Sequence, residues 1–214
     1  MDAPERIQQW WEHHHLPRLV DLVLSDRLVG RWRHKIVSGA HGRVLEVGFG
    51  GGLNLPHYTD DVDAVVAVDP STTGWNLAQE RIAAFGRPVE RVSEDAAVID
   101  LPDQSVDTVI STWSLCSIPD VASALDEIAR VLKPGGEFRL VEHSIAPSPR
   151  VNTIQRRIQP VWGRFSGGCH VDRDIAGLVA NAGFDVSTLT SEYAFRRLPV
   201  QPWSWFVSGS TQRA

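Results

Sequence analysis

The stretch that most constrains this chain is a short apolar strand that runs directly into a glycine-rich loop, at residues 44–55, VLEVGFGGGLNL. Residues 44–47 have the pattern of a buried strand, and the loop after them carries almost no side chains. Such a loop allows backbone N–H groups to approach a ligand closely, which Cβ atoms would prevent. A dinucleotide-binding fingerprint requires glycine at its sixth position, where this chain has Leu53. The loop therefore predicts a ligand site with a different glycine spacing.

The spacing found instead is an acid inside the strand followed by three alternating glycines, Glu46, Gly48, Gly50 and Gly52. A second apolar strand is predicted at residues 62–68, and it ends in Asp69. An acid at this point, about 20 residues beyond the loop, is placed to accept hydrogen bonds from two ribose hydroxyls. A turn and helix cap is the structural interpretation of the same acid, and both roles are compatible.

A third feature is the sequence KPGG at residues 133–136, just before a predicted strand at 137–141. With the glycine spacing and the acid after the second strand, it resembles the class I S-adenosylmethionine (SAM) methyltransferases. The resemblance implies a Rossmann-like α/β fold with a seven-stranded, mostly parallel sheet, one antiparallel strand and helices on both faces. It also implies a SAM-dependent methyltransferase enzyme, with SAM as the cofactor.

The resemblance also assigns the residues that bind the cofactor. They are Glu46, Gly48, Gly50, Gly52, Asn54, Asp69, Pro70, Asp95, Ala96, Ser111 and Thr112. Asp95 matches the position from which the family presents an acid to the adenine amino group. A loop acid is more often only solvated, so this assignment depends on the resemblance.

The acceptor is expected at the carboxyl ends of the fourth and fifth strands, because ligands of open α/β sheets bind at that edge. The candidates for substrate contact are His57, Tyr58, Trp113, Cys116, Trp162 and His170. His143, after the fifth strand, is the candidate catalytic residue, since an imidazole with an unperturbed pKa near ~6.5 suits a general base. A histidine that only shapes the loop through a backbone carbonyl is the alternative.

Four short strings resemble one branch of the family, the methyltransferase-like thiol S-methyltransferases and their bacterial relatives. They are WSLCS at residues 113–117, EH at 142–143, QPVW at 159–162 and GC at 168–169. This resemblance implies a small, apolar acceptor, with a thiol favoured. A thiol ionises near pKa ~8.5 and needs no strong base, whereas a hydroxyl acceptor would.

Several alternatives stay open at this point. Within the same chemistry, the chain could be an O-methyltransferase of a phenolic or hydroxyl metabolite. A nicotinamide-dependent oxidoreductase is disfavoured by Leu53 in the loop. A non-catalytic protein of the same fold is disfavoured by the intact set of loop glycines and strand acids.

The first 40 residues are predicted to be a helical cap, followed by a SAM-binding domain at 41–214 with a substrate-wall insertion at about 147–170. Apolar residues recur at helical spacing, and we expect them to pack on the core. They are Leu16, Leu19, Val20, Val23, Leu24 and Leu28. The alternatives are a peripheral membrane contact, or a lid bordered by Trp10, Trp11, His13, His14 and His15.

The amino-acid composition limits the kinds of binding partner that the protein can have. The net charge of −5 argues against nucleic-acid binding, because no basic face would attract phosphates. No apolar stretch is long enough to span a membrane, and no signal peptide is visible, so a cytoplasmic protein is expected. Cys116 and Cys169 lie far apart in sequence and form no metal-type pair, so we expect reduced thiols and no metal site. A small molecule remains as the expected partner.

The remaining elements follow from apolar periodicity and from helix start and stop signals. Strands are predicted at 88–92, 107–111, 184–193 and 203–210, and helices at 71–84 and 151–159. A helix is expected to begin at Pro119-Asp120 and to end before the glycines at 135–136. Another is expected to be capped by Asp172 and to end at Ala182.

Overall fold

The computed structural model describes residues 15–195 and 197–214 of the chain. In chain order its helices and strands are α1 (Leu16–Val23), α2 (Asp26–Val37), β1 (Gly42–Val47), β2 (Val62–Val68), α3 (Thr72–Phe85), β3 (Val89–Ser93), β4 (Val106–Thr112), α4 (Val121–Val131), β5 (Leu132–His143), α5 (Pro149–Phe165), α6 (Ile175–Asn181), β6 (Thr190–Tyr193) and β7 (Trp205–Thr211). Short 3₁₀ turns lie at Leu55–His57, Val186–Thr188 and Leu198–Trp203.

The strands form one sheet of seven in the order β3-β2-β1-β4-β5-β7-β6. The pairs from β3 to β5 are parallel, and β7 runs antiparallel to both of its neighbours. This confirms the predicted fold class. The strand order reverses between β1 and β4, so a crevice for a ligand is expected outside the carboxyl ends of these two strands.

Alternation along β1 explains how the sheet separates its two faces. Leu45 and Val47 belong to the core beneath α4 and α6, whereas Val44 packs with apolar residues of α2 and α3 on the other face. Since side chains two residues apart share a face, Glu46 is directed to the same side as Val44. A carboxylate is thereby buried between the sheet and α2.

The second strand has the predicted bounds, Val62–Val68, and β1, α3, β3, β4 and β7 begin and end within about two residues of the predicted positions. Two elements are longer than predicted: β5 begins earlier, at Leu132, and α5 continues beyond residue 159 to Phe165. The prediction that Asp172 caps the helix before Ala182 is wrong. Asp174 is the cap, and its Oδ1 accepts a hydrogen bond of 3.0 Å from the Gly177 N–H. The two aspartates are two positions apart, and the sequence pattern does not distinguish them.

The strand predicted at 184–193 is also too long. Residues Val186–Thr188 form a 3₁₀ turn, and β6 begins only at Thr190. Asp185 causes this turn, because its carboxylate accepts a hydrogen bond of 2.9 Å from the Ser187 N–H.

The predicted helical cap contains two helices, α1 and α2. The expected packing on the core is confirmed for Leu16 and Leu24 but wrong for the middle of α1. Leu19, Val20 and Val23 of α1 are 43%, 39% and 48% exposed. Asp21, on the charged side of α1, faces the protein and forms an ion pair of 2.8 Å with Arg81 of α3. The amphipathic pattern alone gives no sign that these apolar side chains are exposed.

Trp10, Trp11, His13 and His14 lie outside the described residues. The division of the chain at residue 40 stays a prediction. In the described ranges, no helix combines the length and the apolar content needed to cross a membrane.

Candidate functional site

The glycine loop after β1 forms an open concavity at the carboxyl edge of the sheet. Gly48 and Gly50 both have positive φ angles, of 79° and 53°, which side chains with a Cβ rarely adopt. A Cβ on Gly48 would overlap the hydroxyl of Ser114, whereas a Cβ on Gly50 would meet nothing within 4 Å. Gly48 is therefore needed for packing, whereas the space beside Gly50 is open, and we refer to it as the Gly50 cradle. That a ligand approaches the backbone there stays a prediction.

Asp69 follows β2 and shapes this loop from the side. Its Oδ2 accepts a hydrogen bond of 2.8 Å from the Gly50 N–H, and its Oδ1 accepts one of 2.7 Å from the Ser71 N–H. Burial raises the pKa of this carboxyl, while the two backbone hydrogen bonds oppose that shift. A carboxylate has about four acceptor positions, so two remain for ligand hydroxyls. The turn role is observed, and the ribose role stays a prediction.

Glu46 lies at the centre of a buried polar network behind the loop. Tyr58 donates its hydroxyl proton to Oε2 over 2.7 Å, and the Asn54 side-chain amide donates to Oε1 over 3.0 Å. The same amide lies 3.2 Å from the hydroxyl of Thr112 on β4. Burial raises the pKa of Glu46 to about 8, against the lowering effect of these hydrogen bonds. The network therefore fixes the loop to two strands.

Arg33 of α2 completes this network, and the sequence analysis missed it. Its guanidinium donates to the Asn54 side-chain oxygen and to the Leu24 carbonyl, the latter over 2.7 Å. The side chain is buried, which lowers its pKa, and it lies 5.3 Å from the ring centre of Trp113. An arginine on the apolar side of a predicted helix was the signal that could have revealed it.

Glu142 of β5 organises the segment after β4; it belongs to the string at 142–143 but was not predicted as a site residue. Its carboxylate accepts hydrogen bonds from the Ser111 hydroxyl at 2.8 Å and from the Ser114 N–H at 2.9 Å. A third, of 3.1 Å, comes from the Cys116 N–H. Burial raises the pKa of Glu142. Trp113 in this segment has a positive φ of 54°, a strained conformation of the kind found at functional sites.

Three side chains from distant segments meet beyond that strained turn, and we refer to Cys116, His143 and Cys169 as the Cys–His cluster. The two sulfurs are 3.6 Å apart, and the Nδ1 atom of His143 lies 3.7 Å from Cys116 Sγ and 3.8 Å from Cys169 Sγ. Both cysteines are buried and His143 is half-buried. The contact with Cys169, together with burial, raises the pKa of the Cys116 thiol. The contact with Cys116, followed by that with His143, lowers the pKa of the Cys169 thiol.

Aromatic rings and a buried amide enclose the Cys–His cluster. Trp162 of α5 lies 5.6 Å from Trp203, measured between ring centres, and both pack against the two cysteines. The indole N–H of Trp203 is buried without a hydrogen-bond partner in the described part of the chain. Gln159 donates over 3.0 Å to the Cys169 carbonyl. This is a mostly apolar wall with few polar groups.

The other predicted substrate residues lie in different surroundings. His57 pairs with Asp26 of α2 at 3.0 Å, and the Tyr58 hydroxyl is engaged by Glu46 as described. His170 lies at the rim, where its Nδ1 is 3.7 Å from an Asp172 carboxylate oxygen. The structure thus brings Cys116, Trp162 and the predicted base His143 together.

Three further residues were predicted to contact the cofactor: Asp95 and Ala96, which lie after β3, and Pro70, which lies after β2. Asp95 is exposed, and its Oδ1 accepts a hydrogen bond of 2.9 Å from the Ala97 N–H. Ala96 is buried and Pro70 is exposed. Their contact with the cofactor stays a prediction.

The donor and acceptor groups at this edge fit SAM. The open cradle at Gly50 leaves room for a ligand against the backbone, and Asp69 retains acceptor positions for hydroxyl groups. In the Cys–His cluster, Cys116 follows β4 and His143 ends β5, at the same edge of the sheet, and Cys169 follows α5. Separate, adjacent binding regions for cofactor and acceptor stay a prediction.

Comparison with known proteins agrees with this architecture. A family model described as a methyltransferase domain matches residues 45–140. A phosphatidylethanolamine N-methyltransferase of Cereibacter sphaeroides is 32% identical over 154 residues, which are 70% of this chain and 73% of that protein. A thiol S-methyltransferase of Rattus norvegicus is 31% identical over 166 residues, 74% of this chain and 67% of that protein.

Solved structures share the fold. A SAM-dependent methyltransferase from Thermotoga maritima superposes with a TM-score of 0.65 at 20% identity, covering 95% of this chain and 100% of that chain. The fold of this chain is thus similar to that of a solved SAM-dependent methyltransferase.

Proposed function

The chain belongs to the SAM-dependent methyltransferases, and we propose that its acceptor is a small, mostly apolar molecule that is methylated on a thiol. When bound, SAM supplies a methyl group on a cationic sulfur, which a nucleophile displaces in line. The chain must therefore hold the acceptor sulfur opposite that bond and exclude water. Positioning of this kind is worth up to about 7–11 kcal/mol in well-oriented reactions.

On the cofactor side, the chain's residues bind and orient. The Gly50 cradle accepts the ligand against the backbone, and Asp69 offers its remaining acceptor positions to hydroxyl groups. The network of Glu46, Asn54 and Arg33 holds this loop in place from behind. None of these groups is required to move a proton.

The observation that carries the thiol proposal is the state of the predicted base. The Nδ1 atom of His143 lies against both cysteine sulfurs, at 3.7 and 3.8 Å, and the imidazole also hydrogen-bonds the backbone of Trp203. A hydroxyl acceptor requires a base that can take its proton, whereas a thiol with a pKa of about 8.5 is already partly ionised near neutral pH. An imidazole that is already hydrogen-bonded on both sides is therefore compatible with a thiol acceptor, which needs no base.

The names of the relatives support more than one acceptor. One relative is a thiol S-methyltransferase, and another is a phosphatidylethanolamine N-methyltransferase. An ammonium group, with a pKa of about 10.4 in lysine, must also lose a proton before it can attack, so an amine needs more help than a thiol. The apolar wall formed by Trp162 and Trp203 supports a small apolar acceptor.

A second candidate is the amine headgroup of a phospholipid, and the outward apolar side of α1 favours it. Leu22 and Val23 of α1 are 69% and 48% exposed. The same helix lies beside the glycine loop, because Arg81 bridges Asp21 and the Gly51 carbonyl at 2.8 and 2.6 Å. A helix in this position would bring a membrane surface close to the site.

A panel of acceptors separates these proposals. Release of S-adenosylhomocysteine is measured with small aliphatic and aromatic thiols, with matched phenols and amines, and with phosphatidylethanolamine vesicles. The thiol proposal expects turnover of thiols with little or none of the others. Turnover of the vesicles alone would support the second candidate, and turnover of phenols over thiols would contradict both.

A further inference from the structure

The distances within the Cys–His cluster match those of a metal site. In a tetrahedral zinc site with Zn–S bonds of about 2.3 Å and Zn–N bonds of about 2.0–2.1 Å, two sulfurs are about 3.8 Å apart and each lies about 3.6 Å from the nitrogen. The observed distances are 3.6 Å between the sulfurs and 3.7 and 3.8 Å to Nδ1 of His143. We propose that Cys116, His143 and Cys169 bind a Zn²⁺ ion.

The backbone of each ligand is held by other groups, as metal sites require. Glu142 accepts from the Cys116 N–H over 3.1 Å, and Gln159 donates to the Cys169 carbonyl over 3.0 Å. The imidazole of His143 hydrogen-bonds the backbone of Trp203. The three ligand atoms therefore converge in a fixed arrangement.

The charge of the site also suits a divalent cation. Two cysteines bind a metal as thiolates, and their two negative charges balance Zn²⁺ with neutral imidazole as the third ligand. A buried group with no net charge avoids the large cost of an unpaired buried ion. Sulfur and imidazole ligands favour zinc over the hard cations Mg²⁺ and Ca²⁺.

The number of ligands indicates an open position. Within the described ranges, no other histidine, cysteine or acid belongs to this group. Zinc sites with three protein ligands keep the fourth position for water or substrate, whereas structural sites are closed by four.

The site is next to the cofactor loop. Cys116 follows β4 and His143 ends β5. Between them and the loop, the Ser114 hydroxyl donates to the Gly48 carbonyl over 3.4 Å.

This place gives the metal a role that rests on the proposed thiol acceptor. The acceptor's thiol releases its proton to water and binds the fourth position as a thiolate, because a coordinated thiol is deprotonated. The metal would then both orient the sulfur and keep it ionised. An engaged His143 is explained as a ligand rather than as a base.

Cobalt provides the direct test, since Co²⁺ replaces zinc and reports its ligands by colour. The full-length protein is treated with a chelator under reducing conditions and titrated with Co²⁺. We expect one equivalent to bind, with a thiolate-to-metal charge-transfer band, visible bands of a tetrahedral site, and displacement by Zn²⁺. Absence of the thiolate band would overturn the proposal, as would formation of a Cys116–Cys169 disulfide with no metal uptake.

Variants identify the ligands. Cys169→Ser and His143→Gln should weaken binding by about 100-fold or more, because even outer partners of metal sites are worth 10–100-fold. His41→Gln is the matched control, since His41 is exposed and lies before β1, at the opposite edge of the sheet. Equal affinity in the ligand variants and the control would overturn the assignment, whereas the wild-type spectrum tests the site even where a variant fails to fold.

A second measurement separates this inference from the proposed function. A small thiol is added to the Co²⁺ protein without SAM, and a change in the visible bands is expected as sulfur takes the open position. If the protein binds Co²⁺ as expected but methylates no thiol of the acceptor panel, the proposed function is contradicted and the metal-site inference stands. Full thiol turnover by metal-free protein would contradict the metal's role and leave the proposed function intact.

Discussion

The two halves of the crevice are built in different ways. On the cofactor side, Gly50 and Asp69 are 19 positions apart and are joined by one backbone hydrogen bond. On the acceptor side, Cys116 and Cys169 are 53 positions apart and come from two separate loops. The first half is a local motif and the second is assembled by the whole fold. Their chemistry differs too, since carboxylates and amides form one half and sulfur and imidazole form the other.

Because the two halves are built from different segments, we expect mutations to affect cofactor binding and acceptor binding separately. Changes in the cofactor half should alter SAM affinity and leave the acceptor constants alone, and changes in the acceptor half should do the reverse. The predictions below test that separation.

The largest effect is expected from Gly50→Val. The valine side chain would fill the open cradle, so SAM binding should be lost while the protein stays folded, as measured by calorimetry and circular dichroism. Gly86→Val is the control, because Gly86 also has a positive φ, of 69°, with nothing within 4 Å of its Cβ position. Both variants carry similar backbone strain, of about 1–2 kcal/mol. Wild-type SAM affinity in Gly50→Val would refute the assignment of the loop.

The next effect concerns Asp69→Ala. Loss of a charged acceptor of hydrogen bonds costs about 1.5–3 kcal/mol, so SAM should bind about 10- to 150-fold more weakly in a calorimetric titration. Asp69→Asn keeps one acceptor oxygen and should lose less. A decrease below about threefold in the alanine variant would show that Asp69 only shapes the turn.

Gly50 and Asp69 belong to the part of the site that can be predicted from the sequence. The loop glycines and Asp69 are recognisable because a strand, a tight turn and a second strand lie close together in sequence. The Cys–His cluster is not, since Cys116 and Cys169 are adjacent only after α5 folds back on the sheet. Their separation in sequence led to the expectation of no metal-type pair.

Buried charges were the other feature that the sequence concealed. Arg33 lies in a helix that the periodicity predicted, but its partner Asn54 is in the loop after β1. For α1, the apolar pattern predicted the helix and not its orientation, which is determined by the ion pair between Asp21 and Arg81. Periodicity identifies a helix, and only tertiary contacts decide which side faces inward.

A pH-dependent effect is expected for Glu46, whose folded-state pKa of about 8 exceeds its ordinary value of 4.5. Between these values the unfolded chain is ionised while the folded protein keeps the proton. The free energy of unfolding should therefore fall as pH rises through this window, by up to about 1.4 kcal/mol per pH unit. Below a pH of about 4.5, both the folded and the unfolded states keep the proton on Glu46, so none of this loss of stability has occurred.

Glu46→Gln removes the titrating group and so tests the sign. Urea unfolding of both proteins from about pH 5 to pH 8 should show the wild type losing stability relative to the variant. Glu90→Gln, on an exposed position of β3, is the control. A difference between wild type and Glu46→Gln that stays constant over this range would contradict the buried, protonated state.

The smallest effect is expected on the acceptor side, from Trp162→Ala. Removal of part of the apolar wall should raise the KM for a thiol acceptor by about 10-fold, a typical loss for one apolar contact, and leave SAM affinity unchanged. Val161→Ala is the neighbouring control, since Val161 is 64% exposed. A parallel loss of SAM affinity would break the separation of the two halves.

The most direct test of the account uses one acceptor that carries both nucleophiles, such as 4-mercaptophenol. The enzyme is incubated with SAM and this acceptor, and mass spectrometry identifies the methylated atom. The same molecule occupies the site in either case, so differences in binding do not affect the comparison. We expect the S-methyl thioether as the product. A product methylated on oxygen, with the thiol left free, would contradict it.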